Sequence, residues 1–159
     1  ERAYQLMEQV SGRAGRKDND GKVLIQVSNT RHPVLSFVQK HQYRELYLYE
    51  RDNRKQFGYP PFTRLIQLTF KHKEKNIAEE AAHILMKGLS MHFSKEMTGP
   101  AQPVVDRIRN QYLWEVLLKL PKDIQRIQQC KREIMQQVVI LQSNKRYKTV
   151  RIVINVDPF

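Results

Sequence analysis

Tyr112-Leu113-Trp114-Glu115-Val116-Leu117-Leu118-Lys119-Leu120 is the run on which the fold turns. Its aromatic, β-branched and leucine content predicts a strand. Pro121 then opens a helix to about Leu141, with Ile124, Ile127, Cys130, Ile134 and Val138 on its inner stripe. Beyond it, Thr149 to Asp157 reads as a strand in which Val150, Ile152, Ile154 and Val156 alternate with Arg151, Val153 and Asn155. Working back from Tyr112, Asn110-Gln111 reads as a tight turn and Val104 to Arg109 as a strand. Gly99-Pro100-Ala101-Gln102-Pro103 breaks a helix that runs from Lys75 to about Lys95 with Ala78, Ala82, Leu85 and Leu89 on one stripe. Ahead of that helix, Ile66, Leu68 and Phe70 share one strand face and Gln67, Thr69 and Lys71 the other. The order β-α-β-β-α-β predicts an α+β fold of ferredoxin-like type, with two helices on one face of one sheet. That fold hosts RNA-binding, metal-binding and enzyme domains alike, so it names no function. The strands at Val104 to Arg109 and Thr149 to Val156 carry arginines where an RNA-recognition sheet would carry paired aromatics.

Phe57-Gly58-Tyr59-Pro60-Pro61-Phe62 is the clearest boundary. Two adjacent prolines withhold two N–H donors and hold the backbone extended, so neither a helix nor a central strand runs through them. Upstream, Tyr4, Leu6, Met7 and Val10 recur at helical spacing, and Ser11-Gly12 can end that helix. Asp18-Asn19-Asp20-Gly21 is a turn signal, and Lys22 to Val27 predicts a buried strand. His32-Pro33 opens a helical pattern to about Gln56, with a break near His41. Tyr43 and Tyr47 are i,i+4 neighbours beside Arg44, Arg51 and Arg54. Such a mixture can stack single-stranded bases, although packing with a wet hydroxyl is the commoner role of a tyrosine. The expected organisation is therefore three segments, 1–30, 31–58 and 59–159.

The 159 residues include 28 Lys and Arg against 16 Asp and Glu, a formal net charge of +12 spread along the chain. A surplus of this size favours a polyanionic partner, most often nucleic acid. At 40% hydrophobic and 28% charged residues the composition is that of a folded, soluble domain. No apolar run approaches the roughly 18–20 residues that cross a bilayer. The single Cys130 allows no internal disulfide and no cysteine-based zinc site. It lies on the buried helical stripe and reads as a small core residue in a reducing, cytoplasmic setting. The first residue is Glu1, already inside a helical pattern, and the expectation is a piece of a longer protein.

Gln9-Val10-Ser11-Gly12-Arg13-Ala14-Gly15-Arg16 carries the chemistry of the front end. Two arginines on a backbone of small residues present planar, permanently charged forks to a polyphosphate. The pattern Q-x-x-G-R-x-G-R resembles the last motif of the second motor lobe in superfamily 2 helicases. The resemblance implies that Gln9, Arg13 and Arg16 face a nucleotide held mainly by the other lobe, with Arg16 as the finger on the γ-phosphate. No G-x-x-x-x-G-K-[ST] phosphate loop occurs in the sequence, so these residues alone are not expected to hydrolyse ATP.

Taken with Tyr59-Pro60-Pro61-Phe62, Gly99-Pro100-Ala101, Arg107-Ile108-Arg109, Tyr112, Trp114 and Asn155-Val156-Asp157-Pro158, the whole chain resembles the C-terminal end of the primosomal protein N′ family of bacterial replication-restart helicases. That resemblance implies an incomplete α/β remnant of helicase lobe 2 at 1–30, a helical connector at 31–58 and the family's C-terminal domain at 59–159. It also implies 3′ to 5′ unwinding driven by ATP with Mg in the complete protein, with zinc confined to an upstream cysteine-rich insertion. The partners implied are branched and single-stranded DNA, the single-stranded DNA-binding protein and other primosome proteins, in the bacterial cytoplasm near the nucleoid. Gln102 departs from the family's Gly-Pro-Ala-Pro break. The basic residues expected to serve DNA are Arg107 and Arg109, two apart on one strand face, and Lys145, Arg146, Lys148 and Arg151 around the start of the last strand. Alternative readings are a non-enzymatic RNA-binding protein of the same fold, or a module that captures an acidic protein tail.

Overall fold

A computed structural model describes residues 1–14 and 21–158, and the chain divides into two units, Glu1–Gln56 and Phe57–Phe159. The first unit holds three helices, α1 (Arg2–Ser11), α2 (Pro33–Gln39) and α3 (Tyr43–Gln56). Pro33 takes the first helical position of α2, where its missing N–H costs nothing, and Nδ1 of His32 accepts the Val34 N–H at 3.2 Å. The expected break falls at His41, whose φ of 52° stops α2. The Gln42 N–H then donates to the Phe37 carbonyl at 2.9 Å, and the His41 ring lies 3.0 Å from the Glu8 carboxylate. Tyr4, Val38 and Leu46, one from each helix, are buried together, with Met7, Val34 and Phe37 packed around them.

Residues 22–27, expected as a buried strand, form none, and Leu24 is 98% exposed. A strand needs a neighbour to take its N–H and C=O groups. No other strand occurs among the described residues of this unit, so an apolar run suited to burial has no ladder to join.

The second unit is a sheet backed by two helices: β1 (Arg64–His72), α4 (Lys75–Phe93), β2 (Met97–Ala101), β3 (Arg107–Ile108), β4 (Gln111–Leu120), α5 (Ile124–Ser143) and β5 (Arg151–Val156). The strands lie in the order β2-β4-β1-β5, all antiparallel, with the short β3 also paired to β4. This is the ferredoxin-like arrangement read from the sequence. Alternation along β1 and β4 turns Ile66, Leu68, Phe70, Val116, Leu118 and Leu120 toward the helices, where Ala81, Ala82, Leu85, Leu89 and Phe93 of α4 meet Cys130, Ile134 and Leu141 of α5. Ile124, expected on the inner stripe, is 72% exposed because it is the first residue of α5, just after the Asp123 cap that accepts the Gln125 N–H at 2.9 Å.

Two expectations about the middle of the sheet are corrected. The edge strand is Met97–Ala101, which overlaps the Gly99-to-Pro103 segment expected as a break, while Val104 to Arg109 contributes only the two residues of β3. Gly99 and Pro100 fit an edge strand because they sit where the register with β4 shifts between Thr98 and Ala101, the kind of irregularity that admits both residue types. The hairpin turn is Arg109-Asn110, between the paired Ile108 and Gln111, and not Asn110-Gln111. Both turn residues have positive φ, 48° and 61°, as a two-residue type I′ turn requires.

At the start of this unit the proline segment is tied to the sheet. Lys119 Nζ donates to the Phe57 carbonyl at 2.9 Å and lies 4.1 Å from the Tyr59 ring centre. Thr63 Oγ1 donates to the Gly58 carbonyl at 2.8 Å.

Candidate nucleic-acid interface

The antiparallel register gathers basic side chains at one end of the sheet, where β1 ends and β4 and β5 begin. His72 stands opposite Tyr112, and Tyr112 opposite Arg107; one residue further in, Lys71 stands opposite Leu113 on one side and Arg151 on the other. With about 4.8 Å between neighbouring strands, Arg107 and His72 are roughly 10 Å apart and Lys71 and Arg151 are immediate neighbours. The loop from α5 to β5, which carries Lys145, Arg146 and Lys148, reaches the sheet at this same end. His72 Nε2 lies 3.1 Å from Thr149 Oγ1 and ties the end of β1 to that loop.

The individual cations differ in freedom. The Arg107 guanidinium lies 4.9 Å from the Tyr112 ring centre and donates to Asn110 Oδ1, so it is held in place. Arg109 occupies the turn and does not share a strand face with Arg107, because β3 ends at Ile108. Arg146 donates to Glu80 at 2.9 Å, and the Tyr147 hydroxyl donates to the other Glu80 oxygen at 3.0 Å. The hydrogen bond to Glu80, then its charge, raises the pKa of Arg146; Tyr147's own hydrogen bond to Glu80, followed by burial, raises that of Tyr147. Lys145, Lys148 and Arg151 are exposed and form no ion pair among the described residues. Lys71 and Lys73 belong to the same end of the sheet but were not singled out from the sequence. The signal for them is topological: in this strand order the end of the first strand lies beside the start of the last.

At the other end of the chain, Gln9 and Arg13 are exposed around the C-terminus of α1, one helical turn apart, with the Arg13 N–H donating to the Val10 carbonyl at 3.1 Å. Arg16 lies outside the described residues. Of the tyrosine pair on α3, Tyr43 is 47% exposed with its ring 5.7 Å from that of Tyr4, and Tyr47 is 57% exposed. Cys130 is buried in the core, and burial pushes its thiol up to about 11. Among the described residues no three His, Cys, Asp or Glu side chains gather as a metal-holding group, and no helix is long and apolar enough to cross a membrane.

The strand order and the helix pair define a ferredoxin-like α+β domain with one strongly basic end. The sequence model of the family described as primosomal protein N C-terminal domain matches residues 55–159, and the chain belongs to that family. Among curated proteins, the replication restart protein PriA of Synechocystis sp. is 37% identical over 129 residues, covering 78% of this chain and 15% of that protein. PriA of Treponema pallidum is 36% identical over 124 residues, 76% of this chain and 19% of the relative. PriA of Haemophilus influenzae is 31% identical over 163 residues, 99% of this chain and 21% of the relative. The chain thus spans about a fifth or less of the length of these relatives.

Proposed function

We propose that this chain serves replication restart as the DNA-gripping C-terminal part of an ATP-dependent 3′ to 5′ DNA helicase. The single observation that carries this reading is the convergence of Arg107, Arg109, Lys71, Lys148 and Arg151 on one end of the sheet. Cations spaced by strand geometry along one rim suit the regularly spaced phosphates of branched or single-stranded DNA. Family membership supports DNA over RNA or an acidic protein tail as the polyanion. Gln9, Arg13 and Arg16 complete a nucleotide site whose phosphate loop is supplied elsewhere. Gln9 and Arg13 are exposed, as donors to a phosphate must be, and a bound ATP with Mg would supply the phosphoryl transfer that drives unwinding. The single-stranded DNA-binding protein and other primosome proteins are the further partners in this reading, in the cytoplasm.

The test compares affinity for forked DNA, plain duplex and structured RNA over a range of salt, with Arg109→Ala and Arg151→Ala. Each substitution is expected to weaken DNA binding and to flatten the log–log salt dependence by about 0.7–0.9. Unchanged DNA affinity in both variants, or a preference for structured RNA, overturns the reading.

A further inference from the structure

The segment between β2 and β3 presents an apolar tip beside the arginines. Val104 is fully exposed at 107%, Val105 is 59% exposed and Ile108 47%. Single exposed apolar side chains are ordinary, but these three fall within five positions and adjoin Arg107 and Arg109. The tip is also held rather than loose. Pro103 restricts the backbone before it, the Leu113 N–H donates to the Asp106 carbonyl at 2.8 Å after it, and β3 is paired to β4. Arg109 adds a second observation. It occupies a turn position with φ 48°, where glycine or asparagine would be unstrained and an arginine is not. Strain of this kind gathers at sites of function.

We infer that Val104 and Val105 form a wedge that packs against the terminal base pair where a duplex opens into single strands, with Arg107 and Arg109 holding the phosphates on either side. The face of that base pair is the flat apolar surface a fork offers, and it is bordered by phosphates as the valines are bordered by arginines. Apolar side chains that meet or enter a base stack beside backbone-binding cations are an established way of reading DNA form without reading sequence. This inference rests on the proposed DNA binding and adds to it a reason for preferring a junction over continuous duplex.

The experiment uses the full chain, a forked duplex with 2-aminopurine at the junction pair, and a duplex of the same sequence closed by hairpin loops at both ends. Wild type is expected to prefer the fork and to change the 2-aminopurine fluorescence. Val104→Ser with Val105→Ser is expected to lower fork affinity about tenfold, the equivalent of one valine side chain left unburied, and to abolish the fluorescence change. Affinity for the closed duplex, its salt slope and the melting temperature stay the same, since both valines are exposed. Fork preference and fluorescence retained in the double variant overturn the wedge and leave the DNA reading standing. If Arg109→Ala and Arg151→Ala also leave every DNA affinity intact, the DNA reading itself falls.

Discussion

Gly99 lies so close to the neighbouring strand that a Cβ on it would stand 2.7 Å from the Glu115 carbonyl oxygen. The obstacle is backbone, which cannot swing aside, and the φ of 112° is one that side-chain-bearing residues avoid. Gly99→Ala is therefore expected to destabilise the second unit by on the order of 2 kcal/mol through combined strain and lost pairing of β2. Urea unfolding measures this; an unchanged midpoint contradicts the close approach.

Asp157 ends β5 by continuing its ladder with a side chain. Its carboxylate accepts the Leu65 N–H at 2.9 Å and pairs with Arg64, and its own N–H donates to the Leu65 carbonyl at 3.0 Å. Burial works against the charged form, but the Leu65 N–H and the Arg64 guanidinium outweigh it and hold the carboxyl below its ordinary 3.8. A carboxyl depressed in the folded state contributes stability that is complete above its unfolded pKa and is lost as pH falls through the folded value. The stability advantage of wild type over Asp157→Asn is expected to be constant near pH 6 and to shrink below about pH 4, as urea midpoints against pH will show.

Glu80 holds both Arg146 and Tyr147. Glu80→Ala takes the acceptor away from the Tyr147 hydroxyl and is expected to lower the urea midpoint of unfolding. It also releases Arg146, so affinity for forked DNA should rise and the salt dependence steepen by up to about 0.9. Weaker DNA binding by a folded Glu80→Ala protein would remove Arg146 from the proposed interface.

Cys130 is the sole cysteine and sits in the α4–α5 core, where burial raises its thiol to about 11. At pH 8 the native thiol is neutral and enclosed, and it should react with a disulfide reagent at least about a hundredfold more slowly than the urea-unfolded chain. Equal rates would place Cys130 outside the core.

In the longer ATP-driven protein proposed above, Arg16→Ala is expected to lower ATP turnover about a thousandfold or more, in line with arginine fingers elsewhere. Normal turnover would remove the finger assignment from Arg16.

The second unit was legible because its chemistry is periodic. Ile66, Leu68 and Phe70 alternate and so define β1, and the Ala78, Ala82, Leu85 and Leu89 stripe defines α4. The edge strand was missed because Gly99 and Pro100 punctuate a sequence wherever they occur, and only the paired neighbour reveals a register shift that accommodates them. Lys22 to Val27 misled in the opposite direction, since apolar content reports a need for burial without naming what does the burying. The basic end was half legible. The loop cluster at Lys145, Arg146 and Lys148 shows as a run, whereas Lys71 joins Arg151 only through pairing between residues eighty positions apart. That Glu80 already holds Arg146 depends on side-chain geometry that spacing does not encode.

Lys71 and Arg151 face each other across two paired strands, and like charges placed so work against the pairing they sit on. The repulsion acts where the outermost strand begins. Any polyanion that quiets this repulsion also tightens the sheet's margin, so occupancy should show itself as slower amide exchange along β5, even at positions the ligand never touches.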